Sequence, residues 1–211
     1  MPRDKKVSHE KIIQAAKDEF SEYSYEKASM RRIGKRCGLT AAALYRHFIS
    51  KEELFNSLVE PVVDDLRNWI IENSKEAEAQ IQSFKEKPSF DQYIDIWKDV
   101  ERRMISEVIY PKADFFSMMI NGGSSGNTSS FLDRYTDYQI NSMVVHLARL
   151  KDLGFQIADV SMEWANVVIR SYCAALFEPV SKRIPLDEAQ EYYRELDAFY
   201  RAGWKKMLGI E

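Results

Sequence analysis

The sequence predicts an all-α protein of about nine helices, and three observations indicate this fold class. Apolar residues recur at helical spacing along most of the 211 residues, without strand-like alternation between turns. Only six prolines and eight glycines interrupt the chain, which favours long helices. Hydrophobic residues make up 45% and charged residues 30% of the chain, as in ordinary globular proteins.

The first helix is predicted over residues 8–23, where apolar side chains recur on one face at a 3-4-3 spacing. A short second helix follows over residues 30–36, because the hydroxyl of Ser29 can accept an otherwise unpaired backbone N–H at its start. Gly38 suits the left-handed residue that commonly ends such a helix. The second helix is therefore expected to end before residue 38.

Thr40 can cap a third helix over residues 41–48, in which three alanines favour helix formation. Two short helices joined by a glycine-containing turn form a helix-turn-helix, whose second helix can lie in a major groove. Leu44 and Phe48 lie four residues apart on one face of this helix, so Tyr45 points about 100° away from them. Tyr45 is thus expected to face DNA rather than the core.

Charge separates this N-terminal part from the rest of the chain. The segment from Lys27 to Lys51 contains seven basic residues and no acid, although the whole chain has a net charge of -3. Residues 1–60 hold twelve Lys and Arg against nine Asp and Glu, whereas the remainder holds eighteen against twenty-four. A basic head on an acidic body suits a head that binds an anion such as DNA.

Several motifs in this part follow one another at fixed distances. They are Met30-Arg31-Arg32-Ile33, Gly38-Leu39-Thr40, Leu44-Tyr45-Arg46-His47-Phe48 and Ser50-Lys51-Glu52-Glu53-Leu54. On these motifs, residues 9–59 resemble the DNA-binding domain of the TetR/AcrR family of bacterial transcription regulators. The resemblance covers about a quarter of the chain, and beyond Glu60 only the helical layout is similar.

The resemblance and the basic segment together predict a surface for double-stranded DNA. The residues expected to contact DNA are Arg31, Thr40, Ala41, Ala42, Tyr45, Arg46, His47 and Lys51. Lys51 opens the fourth helix, from where it can reach the DNA backbone, so its removal is expected to lower the salt dependence of binding by about one phosphate contact.

Three departures from the family pattern matter. Ser24 stands where the family usually has Gly, at the end of the first helix. Gly34 stands where it usually has Ala, which should cost the second helix about 1 kcal/mol. Ala41 and Ala42 replace residues that are commonly polar or basic, and alanine cannot hydrogen-bond a base edge, although it can contact a thymine methyl. These two alanines motivate an alternative function, a protein–protein adaptor that kept the fold.

Six further helices are predicted over residues 51–74, 90–110, 111–120, 131–153, 160–183 and 186–208. Residues 121–130, NGGSSGNTSS, form the clearest loop, and they lack the spacing of a phosphate-cradling loop. We place a helix-turn-helix DNA-binding domain at residues 1–49 and a helical ligand-binding and dimerisation domain at residues 50–211. The last two helices are rich in apolar residues, and the resemblance implies that they form a homodimer interface; a purely intramolecular core is the alternative.

Aromatic and methionine side chains concentrate in the middle helices of the body. Methionine adapts to irregular shapes and aromatic rings supply large flat surfaces, so this composition suits a pocket for an apolar ligand. Core packing is the alternative, and the resemblance favours a pocket. The candidate pocket residues are Trp97, Met104, Phe115, Phe116, Met119, Tyr135, Met143 and His146.

Other classes of function lack support in the sequence. Cys37 and Cys173 are isolated and three histidines are scattered, which predicts neither a disulfide, a metal site nor a cofactor. No nucleophile–base or paired-carboxylate arrangement indicates an enzyme. The absence of a long apolar run and of a signal-peptide core predicts a cytoplasmic protein without membrane contact. The resemblance implies a homodimeric repressor that leaves a palindromic operator when a small apolar effector binds.

Overall fold

The chain is entirely helical over the residues that the computed structural model describes, 3–121 and 130–210, with side chains from residue 9 onward. The helices are α1 Arg3–Lys27, α2 Met30–Arg36, α3 Ala41–Leu44, α4 Lys51–Gln82, α5 Phe90–Met104, α6 Ala113–Asn121, α7 Phe131–Asp152, α8 Met162–Ser181 and α9 Leu186–Leu208. A π-helical turn, Ile105–Ile109, and a 3-10 turn, Tyr110–Lys112, connect α5 to α6. The all-α prediction is confirmed. Within the described ranges, no helix is long and apolar enough to cross a membrane.

Several predicted helix ends differ from the structure, and most of the predicted loop lies outside the described residues. Helix α1 spans Arg3–Lys27 instead of residues 8–23, and α5 ends at Met104 instead of residue 110. Helix α3 ends at Leu44 rather than at residue 48, because Arg46 N–H and His47 N–H bond to carbonyls three residues earlier, which tightens the chain into a turn. Helix α4 continues to Gln82, eight residues beyond the predicted end. Residues 122–129 of the predicted loop lie outside the described residues.

The local capping signals mostly act as predicted. The Thr40 hydroxyl accepts from Ala43 N–H at 3.1 Å, and the Ser50 hydroxyl accepts from Glu53 N–H at 3.0 Å. Gly38 has the expected left-handed backbone, with φ of 75°. The hydroxyl cap predicted for Ser29 is wrong, since its side chain makes no capping bond. Ser29 instead uses its own backbone N–H, which donates to Glu19.

The apolar core is continuous between the head, residues 1–49, and the body, residues 50–211. One cluster of buried side chains extends from α1 through α4 and α6 to α8, and a second, smaller cluster joins the far end of α4 to α5 and the end of α9. The head therefore packs against the body without a polar gap. The division at residue 49 stays a prediction about which residues carry which function.

Replacing Ser24 by Gly is expected to raise the free energy of unfolding by about 1 kcal/mol. Helix α1 bends at Ser24, which has φ of 59° and ψ of 166°, a region that residues with a Cβ rarely occupy. Glycine removes that strain but loses more chain entropy on folding, so the gain is smaller than the strain itself. Urea denaturation measures the difference.

The same change at Ser21, one helical turn earlier in α1, is the matched control. Ser21 lies in a regular part of the helix, where Ser→Gly should lower the free energy of unfolding by about 0.5 kcal/mol. A Ser24→Gly protein that loses as much stability as the Ser21→Gly protein would contradict the strain at Ser24.

Candidate nucleic-acid interface and internal cavity

Helices α2 and α3 present the predicted DNA-contacting side chains on one exposed surface of the head. Leu44 and Phe48 are buried, whereas 48% of Tyr45 remains exposed, as the helical spacing predicted. Ala41 is half-buried. The other predicted contact residues in the head are exposed, namely Arg31, Thr40, Ala42, Arg46 and His47. These residues thus lie in parts of the head that the body does not cover.

Two shallow depressions lie on this surface of the head. One is lined by Ser29, Arg31, Arg32, Lys35, Leu39, Thr40 and Ala41. The other is lined by His9, Ala43, Arg46 and His47. Lys35 and His9 are additions to the residues selected from sequence. Lys35 was within the basic segment, but its place beside Thr40 depends on how α2 packs against α3.

A buried carboxylate fixes α2 on α1. The side chain of Glu19 is fully buried, and it accepts from Arg32 Nε at 2.6 Å and from Ser29 N–H at 3.0 Å. Arg36 Nε lies 3.3 Å from its other oxygen, and Arg36 also pairs with Glu22 on the surface. Two of the seven basic residues are therefore paired with acids and hold the helix-turn-helix in place.

Lys51 has a structural role that the sequence did not indicate. Its ammonium group donates to the carbonyls of Tyr25, Glu26 and Ala28 at 2.7, 3.2 and 3.3 Å. It also lies 4.5 Å from the centre of the Tyr25 ring. With its three donors directed at α1 and the following turn, Lys51 fastens the start of α4 to the head and is not directed outward toward a phosphate.

The remaining basic residues of the segment carry unpaired charge. Across the described part of the chain, no acid lies within ion-pair distance of four of them, which are Lys27, Arg31, Lys35 and Arg46. All four are exposed. Of the seven cations between Lys27 and Lys51, four exposed ones are thus left without an acidic partner among the described residues.

Replacing Gly34 by Ala is expected to lower the free energy of unfolding by about 2 kcal/mol. The reason is that a Cβ at this position would lie 2.8 Å from the carbonyl oxygen of Leu39, which is backbone and cannot rotate away. The helix penalty expected at Gly34 from sequence stays a prediction, and the structure adds that α2 and the turn require a residue without a side chain here. Thermal or urea unfolding tests this, and a stability gain of about 1 kcal/mol, the helix-propensity value, would contradict it.

The body contains a cavity of about 250 Å³ between α4, α5, α7, α8 and α9. Five of the eight predicted pocket residues line it, namely Trp97, Met104, Tyr135, Met143 and His146. The wall is rich in aromatic rings, as the composition predicted. The structure thus provides space for a ligand beside these residues, in addition to core packing.

The other three predicted pocket residues, Phe115, Phe116 and Met119, do not line this cavity. All three belong to α6, which packs against α1 and α8. Phe116 is fully buried against the ring of Phe131, and Met119 is buried in the same core. The Phe115 ring lies under the ammonium group of Lys17, at 4.6 Å. These residues connect the head to the body instead.

The charged groups in the cavity wall are paired with one another. Lys98 Nζ lies 2.9 Å from Glu101 and 3.4 Å from Asp197, and it donates to the Tyr172 hydroxyl at 2.5 Å. The Tyr172 hydroxyl in turn donates to Glu101. Burial and the charge of Glu101 raise the pKa of Tyr172 well above its usual value, so it stays protonated.

Arg201, on α9, forms further ion pairs next to this charged group. Its guanidinium lies 2.7 Å from Asp95, 3.2 Å from Asp197 and 3.5 Å from Asp91. Lys205 adds a second contact to Asp91 at 2.8 Å. These ion pairs join α9 to α5 along the edge of the cavity.

A second polar group in the wall is uncharged. The Tyr93 hydroxyl lies 2.7 Å from Nδ1 of His146, and the Trp97 ring packs edge-on against the imidazole at 4.5 Å. Burial lowers the pKa of His146 to about 4 and raises the pKa of Tyr93 to about 12, so both are neutral near pH 7. No group of His, Cys, Asp and Glu side chains in the described ranges could hold a metal ion.

The apolar stripe of α9 belongs to the inside of the protein. Leu186, Tyr193, Leu196 and Trp204 pack against the core, and Tyr200 and Trp204 line the cavity. From sequence alone this stripe was assigned to a dimer interface. The helical period gives one apolar face for α9 but does not indicate what covers it, so the cavity residues of α8 and α9 were missed.

A different, outward face of α8 and α9 also exposes apolar side chains. On α8, Trp164 is 56% and Val167 is 55% exposed. On α9, Phe199 is 73% and Tyr192 is 37% exposed. Gly203 follows one turn after Phe199 and has open space around it. We call these five residues the outer α8–α9 face.

The head matches a known family of sequences. The sequence model of bacterial regulatory proteins of the tetR family matches residues 12–58, which include α2, α3 and the start of α4. Residues 12–58 are therefore similar to the DNA-binding domain of that family. The family resemblance that the motifs indicated is thereby confirmed.

Individual TetR-family relatives match mainly in this domain. The transcriptional regulator UidR of Escherichia coli strain K12 is 43% identical over 49 residues, which are 23% of this chain and 25% of UidR. The transcriptional repressor AcnR of Corynebacterium efficiens is 23% identical over 167 residues, 78% of this chain and 77% of AcnR. The chain thus matches about a quarter of the length of UidR, whereas the longer match is more distant.

Two solved structures have only a weak likeness to this chain, and one of them is a TetR transcriptional regulator. A transcriptional regulator from Rhodococcus sp. RHA1 aligns with 93% of this chain and 96% of its own, at 18% identity and a TM-score of 0.36. A structure titled as the molecular basis for control of antibiotic production by bacterial hormones aligns with 91% of this chain and 95% of its own, at 21% identity and a TM-score of 0.47. The assignment to the family rests on the N-terminal match.

Proposed function

We propose that this protein is a DNA-binding transcriptional regulator, and that it acts as a repressor at a palindromic operator. The observation that carries the proposal is the exposed α2–α3 surface, because it combines unpaired cations with an exposed Tyr45 in a domain of the TetR family. The contacts proposed are Arg31, Thr40, Ala41, Ala42, Tyr45, Arg46 and His47. Lys51 is proposed to position the head rather than to contact phosphate.

The test is a gel-shift titration with the DNA that flanks the protein's own gene. Binding to one segment with an affinity at least 1,000-fold above that for random DNA of the same length would support specific regulation. Equal affinity for both would contradict it and would favour the alternative, an adaptor that binds proteins through the same surface. Ala41 and Ala42 at the start of α3 are the reason for considering this alternative, because alanine cannot hydrogen-bond a base edge.

We further propose that the protein is a two-fold dimer joined through the outer α8–α9 face. A single head buries little surface on DNA, so two heads on a palindrome are needed for useful affinity. Exposed Trp164, Val167 and Phe199 could supply the apolar centre of an interface of at least about 1,000 Å².

Replacing Phe199 by Glu is expected to convert the dimer to monomers at micromolar concentration, because a charge would be buried at the centre of an apolar interface. Light scattering measures the mass. Replacing Ile71 by Glu is the control, since Ile71 is 47% exposed on α4 and lies outside the outer α8–α9 face. A wild-type protein that is already monomeric, or a Phe199→Glu protein that remains dimeric, would contradict the proposed interface.

We propose that a small apolar effector enters the body cavity and lowers DNA affinity. Helix α4 supports this route, because it begins at Lys51 against the head and contributes Ile70 and Ser74 to the cavity wall. Lys51 and Ile70 are about 28 Å apart along the helix. A tilt of α4 would change the separation of two recognition helices, which must match half-sites about 34 Å apart or a multiple of that. Typical coupling is about 1–3 kcal/mol, and operator DNA must weaken effector binding by the same factor.

A further inference from the structure

We propose that the body cavity selects a small uncharged molecule with a carbonyl-type oxygen, and that the Nε2–H group of His146 donates the hydrogen bond that recognises this oxygen. The inference rests on the proposed function, in which the cavity holds the effector, and it specifies the chemical class of that effector. Three features of the cavity wall support it: the tautomer of His146, the pairing of the charged groups and the size of the space.

The tautomer follows from the burial of Tyr93. Only 1% of Tyr93 is exposed, and a buried hydroxyl needs an acceptor for its proton. Nδ1 of His146, at 2.7 Å, fills that need, which places the single proton of the neutral imidazole on Nε2. Nε2 has no hydrogen-bond partner in the described part of the chain. Part of its surface remains accessible, because it is not one of the buried polar atoms that lack a partner. The wall thus offers a fixed donor without an acceptor.

The Trp97 ring holds the imidazole in this orientation. It packs edge-on against His146 with 4.5 Å between ring centres, and Trp97, Tyr93 and His146 all line the cavity. A donor held by packing on one side and by a hydrogen bond on the other loses little freedom when a ligand binds. This preorganisation favours a ligand with an acceptor at that end.

The charged side chains of the wall disfavour an ionic ligand. Lys98 is shared by Glu101 and Asp197, and Arg201 is surrounded by three carboxylates. A ligand carboxylate would have to displace one of these internal partners, and a ligand cation would have to compete with Lys98 or Arg201. Either leaves a partly buried charge unpaired, which is costly.

The size of the space limits the ligand further. A volume of about 250 Å³ is slightly below the roughly 300–1,000 Å³ of typical drug-sized sites. Flat aromatic walls suit a small ring system. An aromatic ketone or ester of two fused rings represents this class.

The experiment compares three probes of equal shape by calorimetry at neutral pH: methyl 2-naphthyl ketone, 2-isopropylnaphthalene and 2-naphthoate. The ketone is expected to bind about five- to tenfold more tightly than the hydrocarbon, because it adds one hydrogen bond to an otherwise unpaired donor. Naphthoate is expected to bind most weakly. Equal binding of ketone and hydrocarbon, tightest binding of naphthoate, or no binding of any probe would overturn the inference.

Two variants locate the donor. His146→Phe should bring the ratio of ketone to hydrocarbon affinity to about one, and Tyr93→Phe, which frees the tautomer, should reduce it about two- to threefold. His9→Phe, in the head, is the matched control and should leave the ratio unchanged. A ratio that survives His146→Phe would overturn the assignment; if that variant does not fold by circular dichroism, the Tyr93→Phe ratio decides instead. None of these measurements uses DNA, so a failed gel shift would contradict the proposed function and leave the ligand class standing.

Discussion

Replacing Glu19 by Ala is expected to lower the free energy of unfolding by about 3 kcal/mol. The carboxylate is fully buried and holds Arg32, Arg36 and the backbone N–H of Ser29. Removing it leaves Ser29 N–H unpaired and both guanidinium groups without their shared anion. The estimate is at the low end for a broken buried ion pair, because 44% of the Arg32 side chain and 35% of the Arg36 side chain remain exposed and can bind water.

Glu22→Ala is the matched control for this measurement. Glu22 pairs with Arg36 at an exposed position. A hydrogen bond from the Tyr23 hydroxyl lowers the pKa of Glu22 most, and the Arg36 guanidinium lowers it further. Exposed pairs of this kind contribute little, so the loss should be much smaller than for Glu19→Ala. Urea denaturation of both variants provides the comparison. Equal losses for Glu19→Ala and Glu22→Ala would show that the buried carboxylate does not anchor α2.

Operator affinity is expected to fall about 10,000-fold between 50 and 200 mM salt. If the four exposed cations of residues 27–51 that lack an acidic partner are the ones that contact phosphates, a dimer neutralises about eight phosphates, and each contributes about 0.9 to the slope of log affinity against log salt. The expected slope is therefore about -7. Had all seven basic residues of the segment contacted phosphates, it would be about -13. Fluorescence anisotropy with operator DNA over a salt series distinguishes these values.

One arginine variant and one lysine variant test which charges contribute to the salt dependence. Arg46→Ala is expected to reduce the size of the slope by about two, one unit for each protomer. Lys51→Ala should leave the slope unchanged, because its ammonium group is bound to three carbonyls of the head. This replaces the expectation from sequence, in which Lys51 contributed a phosphate contact. A Lys51→Ala slope lower by about two, with Arg46→Ala unchanged, would reverse the assignment.

The head was the part of the fold that sequence predicted best. Its signals are local: Thr40 and Gly38 act within three or four residues of their own position, so no knowledge of tertiary packing is needed. The exposure of Tyr45 follows from the same short-range geometry, because Leu44 and Phe48 fix the buried face. At Ser29 the predicted hydroxyl cap is absent, and the contact that the structure shows there, from the Ser29 N–H to Glu19, joins residues ten positions apart and is not a local signal.

The sequence by itself determined that the chain is helical, where most helices begin, and that its N-terminal domain resembles that of the TetR family. Only the tertiary structure decided which cations remain free, since Lys51 meets Tyr25 across 26 residues and Arg32 meets Glu19 across 13. It also decided that Trp97 and His146 face a cavity while Phe116 fills the core. The physical reason is that helical periodicity fixes one face of each helix, whereas the partner of that face depends on how the helices pack together.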